Sequence, residues 1–346
     1  MTPSADFYAV QPRDDPFERE DILRLLAAND LELDDRIEVF VVCRRNGRLV
    51  ACAGLDHYTI KCVAVDEDVR GESLSLDLGT EVVHEAAARG QFHLFLYTKP
   101  GNLPLFRGWG FYPLVEVPHR VVLMENSPVA MERYCGGLGT RRRAGKKIGG
   151  IVLNANPFTL GHRYLLEQAA GACDWLHVFV VKEDASLFSH TDRYGLVAAG
   201  AKGIRNLTLY PGSDYIISRA TFPNYFLKDQ GIVDHSWAGI DLLLFREYIA
   251  PALGITHRYV GTEPFDRVTN DYNAEMKEWL ERAPSRAAPV TVVEIQRATI
   301  HGVPISATEV RRLLARRDFP AIAELVPETT LQYLESKFPA AVSTTQ

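Results

Sequence analysis

At 346 residues the chain is long enough for two globular domains, and 47% hydrophobic with 24% charged residues is ordinary soluble composition. A net charge of -6, from 38 Lys and Arg against 44 Asp and Glu, argues against a sequence-independent partner such as nucleic acid or an anionic membrane surface. No apolar run approaches the roughly 20 residues that cross a bilayer, and Met1 to Asp15 is polar and acidic, so the chain reads as cytoplasmic. Cys43, Cys52, Cys62, Cys135 and Cys173 form no C-x-x-C pair and read as reduced thiols.

The first predicted element is a helix carrying Phe17, Ile22, Leu25 and Leu26. Ile37 to Cys43 and Leu49 to Leu55 flank Asn46-Gly47, a pair suited to a type I′ turn, and read as a hairpin. A strand at Ile60 to Val65, a helix at Leu74 to Arg89, a strand at His93 to Thr98, a short helix at Leu103 to Arg107 and a strand at Arg120 to Met124 complete an α+β domain over residues 1–126. From 127 to 147 the periodicity fails. Gly136, Gly137, Gly139 and Gly145 alternate with Arg141, Arg142, Arg143, Lys146 and Lys147, which reads as a solvated basic linker. Residues 148–346 then alternate strands (Ile148 to Ala155, Trp175 to Lys182, Leu207 to Tyr210, Arg258 to Gly261, Val290 to Ile295) with helices (Gly161 to Ala172, Asp192 to Ala201, Trp237 to Ala250, Tyr272 to Arg282, Thr308 to Arg317). That alternation implies a parallel sheet covered by helices, with ligands at the carboxyl ends of its strands.

The densest chemistry lies at the first of those ends. Strand Ile151 to Asn154 enters the loop Ala155-Asn156-Pro157-Phe158-Thr159-Leu160-Gly161-His162 and then a helix. Pro157 turns the chain, Gly161 leaves the helix start open to a phosphate, and His162 falls in the first turn. Near the other end of the domain, Ser306 and Glu309 form a Ser-x-x-Glu capping box ahead of Val310, Leu313 and Leu314. The box does not require Arg311.

These two segments resemble the signatures of the nucleotidyltransferase superfamily, Thr159-Leu160-Gly161-His162 and Ile305-Ser306-Ala307-Thr308-Glu309-Val310-Arg311. The resemblance implies a Rossmann-like domain that binds ATP. Thr159 and His162 would act on the α-phosphate, Asn156, Pro157, Phe158 and Gly161 would line the loop, and Ile305, Ser306, Thr308 and Arg311 would hold the outer phosphates. Gly261, Thr262 and Glu263 match the region that meets adenine and ribose, and Lys182 is expected at phosphate or substrate. The ten histidines show no metal-ligand spacing, and no protein metal site is expected.

The first domain resembles the Gcn5-related N-acetyltransferases. Cys62-Val63-Ala64-Val65 leads into Arg70-Gly71-Glu72-Ser73-Leu74-Ser75, where that fold binds a coenzyme A pyrophosphate, with serines at the small-residue positions; Asn102, Phe106 and Trp109-Gly110-Phe111-Tyr112 match a later motif. Arg70, Ser73, Ser75 and Asn102 are thereby expected at a pantetheine-like arm, with or without retained acetyl transfer.

Asn154 to Gln168, Gly212 to Pro223 and Val260 to Phe265 continuing through Tyr272-Asn273, together with the domain order, resemble the citrate lyase ligases over nearly the whole chain. The resemblance implies that acetate and Mg²⁺-ATP give acetyl-adenylate. The acetyl group then passes to the thiol of a phosphoribosyl-dephospho-coenzyme A group on the acyl carrier subunit of citrate lyase. Arg219 is expected to face the carboxylate. Two rivals stand beside this reading. One is an adenylyltransferase for a phosphorylated acceptor; the other is an acetyl-coenzyme A transferase carrying a nucleotide sensor.

Overall fold

The computed structural model describes residues 6–70, 73–182, 186–216, 230–262 and 267–339. They form two compact units: the first takes the residues up to Tyr134 with those of 230–240, and the second takes the remainder.

In the first unit, β1 (Asp6–Val10), β2 (Val39–Arg45), β3 (Arg48–Asp56), β4 (Thr59–Val65), β5 (Phe95–Thr98), β6 (Tyr112–Val117) and β7 (Val121–Glu125) make one sheet in the order β1-β2-β3-β4-β5-β7-β6. Its helices are α1 (Pro16–Ala28), α2 (Leu74–Ala88) and α3 (Leu103–Gly108). The expected hairpin forms with Asn46 and Gly47 at φ 52° and 79°, the left-handed conformations that a type I′ turn demands. Leu74, Leu78, Val82 and Ala86 line one stripe of α2 and bury it in the core with Val39, Val41, Ala51 and Ala53 of the sheet.

Every pairing in this sheet is antiparallel except β4 with β5, which pair only through Thr59–Phe95 and Ile60–Leu96. Beyond those two residues the strands run on unpaired with each other, which leaves a cleft between them. Two strands were not anticipated. β1 and β6 are the sheet's edges; β1 has no fully buried residue, and β6 carries Pro113 and alternates only over Val115-Glu116-Val117, too short a run to mark a strand by itself.

The expected linker is more ordered than its composition suggests. Ala130–Gly139 forms helix α4, with Met131 and Leu138 buried, and the division between the units falls inside it. Past its end, Arg142 Nη1 donates to Pro251 O at 2.6 Å.

The second unit holds a sheet of β8 (Ile148–Leu153), β9 (Trp175–Val180), β10 (Leu207–Tyr210), β11 (His257–Gly261) and β12 (Thr291–Ile295) in the order β10-β9-β8-β11-β12. All its pairings are parallel, as the alternation implied. The chain steps outward from β8 to β10, then returns to the other side of β8 with β11. The reversal between β8 and β11 is the switch point where a doubly wound sheet opens a crevice at its carboxyl edge.

Helices α5 (Leu160–Gly171), α6 (His190–Gly200), α7 (Gln230–Leu244), α8 (Ala250–Leu253), α9 (Arg267–Met276), α10 (Ala307–Ala315), α11 (Phe319–Ala323) and α12 (Glu328–Lys337) complete the chain, with a small hairpin of β13 (Thr299–Ile300) and β14 (Val303–Pro304) before α10. Leu166, Ala169, Leu196 and Val197 of α5 and α6 bury against Leu176, Val178 and Val180 of β9. Val310, Leu313 and Leu314 of α10 form a second cluster with Ile322, Leu334 and Phe188.

Candidate functional site

The two signature segments meet at the switch point. β8 ends at Leu153, and Thr159 becomes the N-cap of α5, 1% exposed, with its backbone extended at φ -122°. Its hydroxyl accepts from His162 N–H at 3.3 Å and meets His162 Nδ1 at 2.8 Å, while the Thr159 N–H donates to the same Nδ1 at 3.0 Å. The histidine itself closes this cap reciprocally. Because Nδ1 is the acceptor, the neutral ring carries its proton on Nε2. Burial, reinforced by the positive charge of Arg297, pushes the His162 imidazole down to about 4, so it is neutral at pH 7. Phe158, fully buried, stacks on the ring at 5.6 Å between centroids.

Of the first amides of α5, Leu160 N–H donates to Leu325 O at 2.9 Å and His162 N–H is taken by Thr159. The Gly161 N–H has no partner among the described residues and is the amide available to an anion. Gly161 has a further reason to lack a side chain. A Cβ there would lie 3.2 Å from Ile305 O and 3.3 Å from Ile305 Cβ, so the glycine lets the second signature close on the first. The helix start is therefore not open on every side, because Ile305 covers one flank of it.

Arg311 ties the same two segments together. Its Nη1 donates to Asn156 O at 2.5 Å and its Nη2 to Thr308 Oγ1 at 2.9 Å. Pro157, buried after a cis Asn156–Pro157 peptide, completes the loop. Ser306 caps α10 by accepting from Glu309 N–H at 3.1 Å, but the expected box is only half formed, because the Glu309 carboxylate turns to Arg312 at 2.7 Å. Arg312 holds that carboxyl below its usual range.

Gly261 and Thr262 close the other side of the crevice at the end of β11. Thr262 N–H donates to Ile295 O at 2.9 Å, and Asn273 Nδ2 donates to Gly261 O at 3.1 Å. Lys182, after β9, is paired with Asp214 at 2.8 Å. Gly212 makes that pairing reachable: at φ +75° its Cα packs so close to Val180 O that a Cβ would sit 2.1 Å from it. Glu263 and Arg219 lie outside the described residues. Among the described residues no group of three or more His, Cys, Asp or Glu gathers to hold a metal ion.

Two arginines of this edge escaped the sequence reading. Arg193 is fully buried and donates from Nη1 to Asn154 O at 3.0 Å, Asn154 Oδ1 at 2.7 Å and Val181 O at 2.8 Å, and from Nε to Phe188 O at 3.2 Å. It fastens the carboxyl ends of β8 and β9. The available signal was a lone arginine inside the apolar stripe of α6. Arg297 follows β12, donates its N–H to Thr262 Oγ1 at 3.3 Å, and places its Cγ 3.8 Å from where a Gly261 Cβ would be.

The cleft of the first unit encloses about 530 Å³ and is lined by Arg70, Ser75 and Asn102 together with Lys99, Tyr97 and apolar residues of β4 and β5. Arg70 is aimed by Asn29 Oδ1 at 2.7 Å and Val65 O at 3.3 Å. Ser75 Oγ accepts from Trp109 Nε1 at 3.4 Å. Ser73 is the departure from expectation: it is not among the cleft's lining residues and bonds Asp77 at 3.4 Å instead.

Residues 148–334 match the family model described as the citrate lyase ligase C-terminal domain. The chain is 51% identical to the "[Citrate [pro-3S]-lyase] ligase" of Escherichia coli (strain K12) over 96% of this chain and 94% of that protein. It is 52% identical to the protein of the same name from Klebsiella pneumoniae over 94% and 95%. Among solved structures, Escherichia coli ElaA aligns with 36% of this chain and 100% of its own, at 17% identity and a TM-score of 0.34.

Proposed function

The chain belongs to the citrate lyase ligase family, and from that premise we propose that it joins acetate to a carrier-bound thiol of citrate lyase, driven by cleavage of ATP. A carboxylate oxygen of acetate attacks the α-phosphorus, the bond to the β-phosphate breaks, and diphosphate leaves. The thiolate of the phosphoribosyl-dephospho-coenzyme A group on the acyl carrier subunit then attacks the acetyl carbonyl. A carbon–sulfur bond forms and AMP leaves. The observation that carries this reading is the closure of the two signature segments around His162 at the switch point, through Gly161 against Ile305 and Arg311 on Asn156.

His162 donates its Nε2–H to a non-bridging oxygen of the α-phosphate, where charge grows as the phosphorus becomes pentacoordinate. Its neutrality makes it a donor that does not exchange protons with the substrate near pH 7. Thr159 was expected to touch the phosphate; with its hydroxyl buried and committed to the histidine, it is a positioning residue. The Gly161 amide and the start of α10 with Ser306 and Thr308 receive the outer phosphates, Arg311 holding both segments in register. Lys182 exchanges Asp214 for a phosphate oxygen when the nucleotide enters. Mg²⁺ bound with the substrate ATP would supply charge neutralisation at its phosphates. Asn156, Pro157 and Phe158 shape the loop, Gly261, Thr262 and Glu263 flank the nucleoside, Ile305 backs the phosphate site, and Arg219 meets the acetate carboxylate.

The cleft of the first unit holds the prosthetic arm, with Arg70 facing its phosphates and Ser75 and Asn102 its amide-bearing chain. Arg70 and Lys99 among the polar and apolar side chains of that cleft suit an anionic, amide-bearing arm. ATP supply makes the cytoplasm its natural setting.

The test is exchange of labelled diphosphate into ATP. Exchange that requires acetate supports the acyl-adenylate; exchange that requires a phosphorylated acceptor instead supports the adenylyltransferase rival and overturns the ligase reading. The assay is run with and without deacetylated citrate lyase, so that a requirement for bound carrier is seen.

Arg297 tunes the same histidine. Its positive charge disfavours imidazolium at His162, so Arg297→Ala is expected to raise the His162 pKa from about 4, while burial still keeps it below the usual 6.5. The acid limb of the exchange–pH profile therefore moves upward and the rate at pH 8 changes less. An unmoved acid limb would show that Arg297 does not act on the histidine.

A further inference from the structure

Between α4 and β8 the chain carries Arg141, Arg142, Arg143, Lys146 and Lys147, and on a chain of net charge -6 this is a marked local excess of positive charge. The run is not a loose solvated tether. The Arg143 guanidinium lies over the Trp175 ring at 4.6 Å from its centroid, and Arg141 over Tyr210 at 5.5 Å. Arg142 is bonded to Pro251 O and packs on Gly254, where a Cβ would meet its guanidinium at 3.1 Å. Asp174 Oδ2 fixes the backbone that follows, accepting from Lys146 N–H at 2.7 Å and Lys147 N–H at 2.9 Å.

None of the five cations is in an ion pair among the described residues, and the side chains of 141–146 are exposed. Their combined field is felt nearby: His177, buried beneath, is pushed down to about 4 by burial and by Arg143, and His257 is lowered by burial and by Lys147. Guanidinium groups already held on aromatic faces, as at Arg141 and Arg143, lose less entropy on binding than free side chains would. A pre-organised row of five cations, offset locally only by the Asp174 carboxylate beside Lys146 and Lys147, is built to meet anions.

Its position narrows the partner. Lys147 precedes β8, Asp174 precedes β9 and Trp175 opens it, and Arg142 packs on the turn before β11, so four of the five cations lie toward the amino ends of these strands. Arg141 reaches the Tyr210 ring of β10, while the signature segments lie at the carboxyl ends. Six residues of strand separate the two ends by about 20 Å. ATP and acetate bound at the crevice do not reach it.

We propose that Arg141, Arg142, Arg143, Lys146 and Lys147 form a docking surface for an acidic face of the protein substrate, which rests on the ligase reading for the identity of that substrate. A carrier docked there is steered electrostatically and presents its thiol through its long prosthetic arm, which alone travels to the reacting edge.

The experiment measures acetylation of deacetylated citrate lyase by wild type, by the triple variant Arg141→Gln, Arg143→Gln, Lys146→Gln, and by Lys146→Glu alone, whose exposed side chain carries no packing. Acetate-dependent diphosphate exchange is followed in parallel. The expected result is a rise of about tenfold or more in KM for citrate lyase in the triple variant, a smaller rise in Lys146→Glu, and a weaker dependence of KM on salt in both, with exchange near the wild-type rate. Unchanged KM and unchanged salt dependence, with exchange intact, overturn the docking surface and leave the ligase reading standing. The docking surface is equally overturned if the variants lose binding to duplex DNA or to vesicles of anionic phospholipid while KM for citrate lyase holds. Wild-type protein without acetate-dependent exchange overturns the ligase reading itself.

Discussion

Replacing His162 with alanine is expected to slow acetate-dependent exchange by about 30- to 1,000-fold, roughly 2–4 kcal/mol of transition-state stabilisation. The ring is held by two contacts at Nδ1, from Thr159 N–H at 3.0 Å and Thr159 Oγ1 at 2.8 Å, and by stacking on Phe158. Its orientation is therefore fixed before substrate arrives, and no reorganisation is needed as charge develops. KM for ATP is expected to change little, because the donor is matched to an oxygen whose charge grows only in the transition state. Single-turnover and steady-state exchange on the purified variant check the split. A loss below tenfold, or a loss confined to KM, would assign His162 to ground-state binding or to capping alone.

Arg193→Leu is expected to cost about 4 kcal/mol of unfolding free energy in the second unit, at about 1 kcal/mol for each acceptor left without a donor, the low end of the range because Asn154 is exposed to water. Four acceptors depend on this one guanidinium, contributed by Asn154, Val181 and Phe188. Lysine does not substitute, since a single ammonium cannot reach all of them from one point. Urea unfolding of wild type, Arg193→Leu and Arg193→Lys measures the loss. Because the same bonds aim the ends of β8 and β9 into the crevice, exchange falls in Arg193→Lys even at urea concentrations where the protein remains folded. A loss under 1 kcal/mol would mean that the acceptors find other donors.

The sequence announced this fold wherever local chemistry and periodicity agreed. Asn46-Gly47 demanded its turn, the stripe of α2 demanded a partner sheet, and the strand–loop–helix around Thr159 and His162 was readable because a cap, a glycine and a buried strand coincide. What escaped was set by tertiary contact. Arg193 looks like any helical arginine until the ends of β8 and β9 converge on it, and Arg297 becomes part of the site only because β12 pairs with β11. The hydroxyl of Thr159 could serve a phosphate or a histidine, and only geometry decides. The run from Arg141 to Lys147 is solvated as its composition implied, but nothing local reveals that Trp175 and Tyr210 lie beneath it and order it.

The contact between Gly161 and Ile305 also has a temporal meaning. It joins positions far apart in the chain, and Arg311 on Asn156 spans 155 residues. Loop closures of that length come late, after their flanking elements exist. During synthesis, the first signature emerges early and waits as an incomplete half-site until β11, β12 and α10 have left the ribosome. On the proposed ligase reading, a nascent or truncated chain ending before α10 has only half of the nucleotide site, and acetate-dependent exchange is expected only once α10 has emerged.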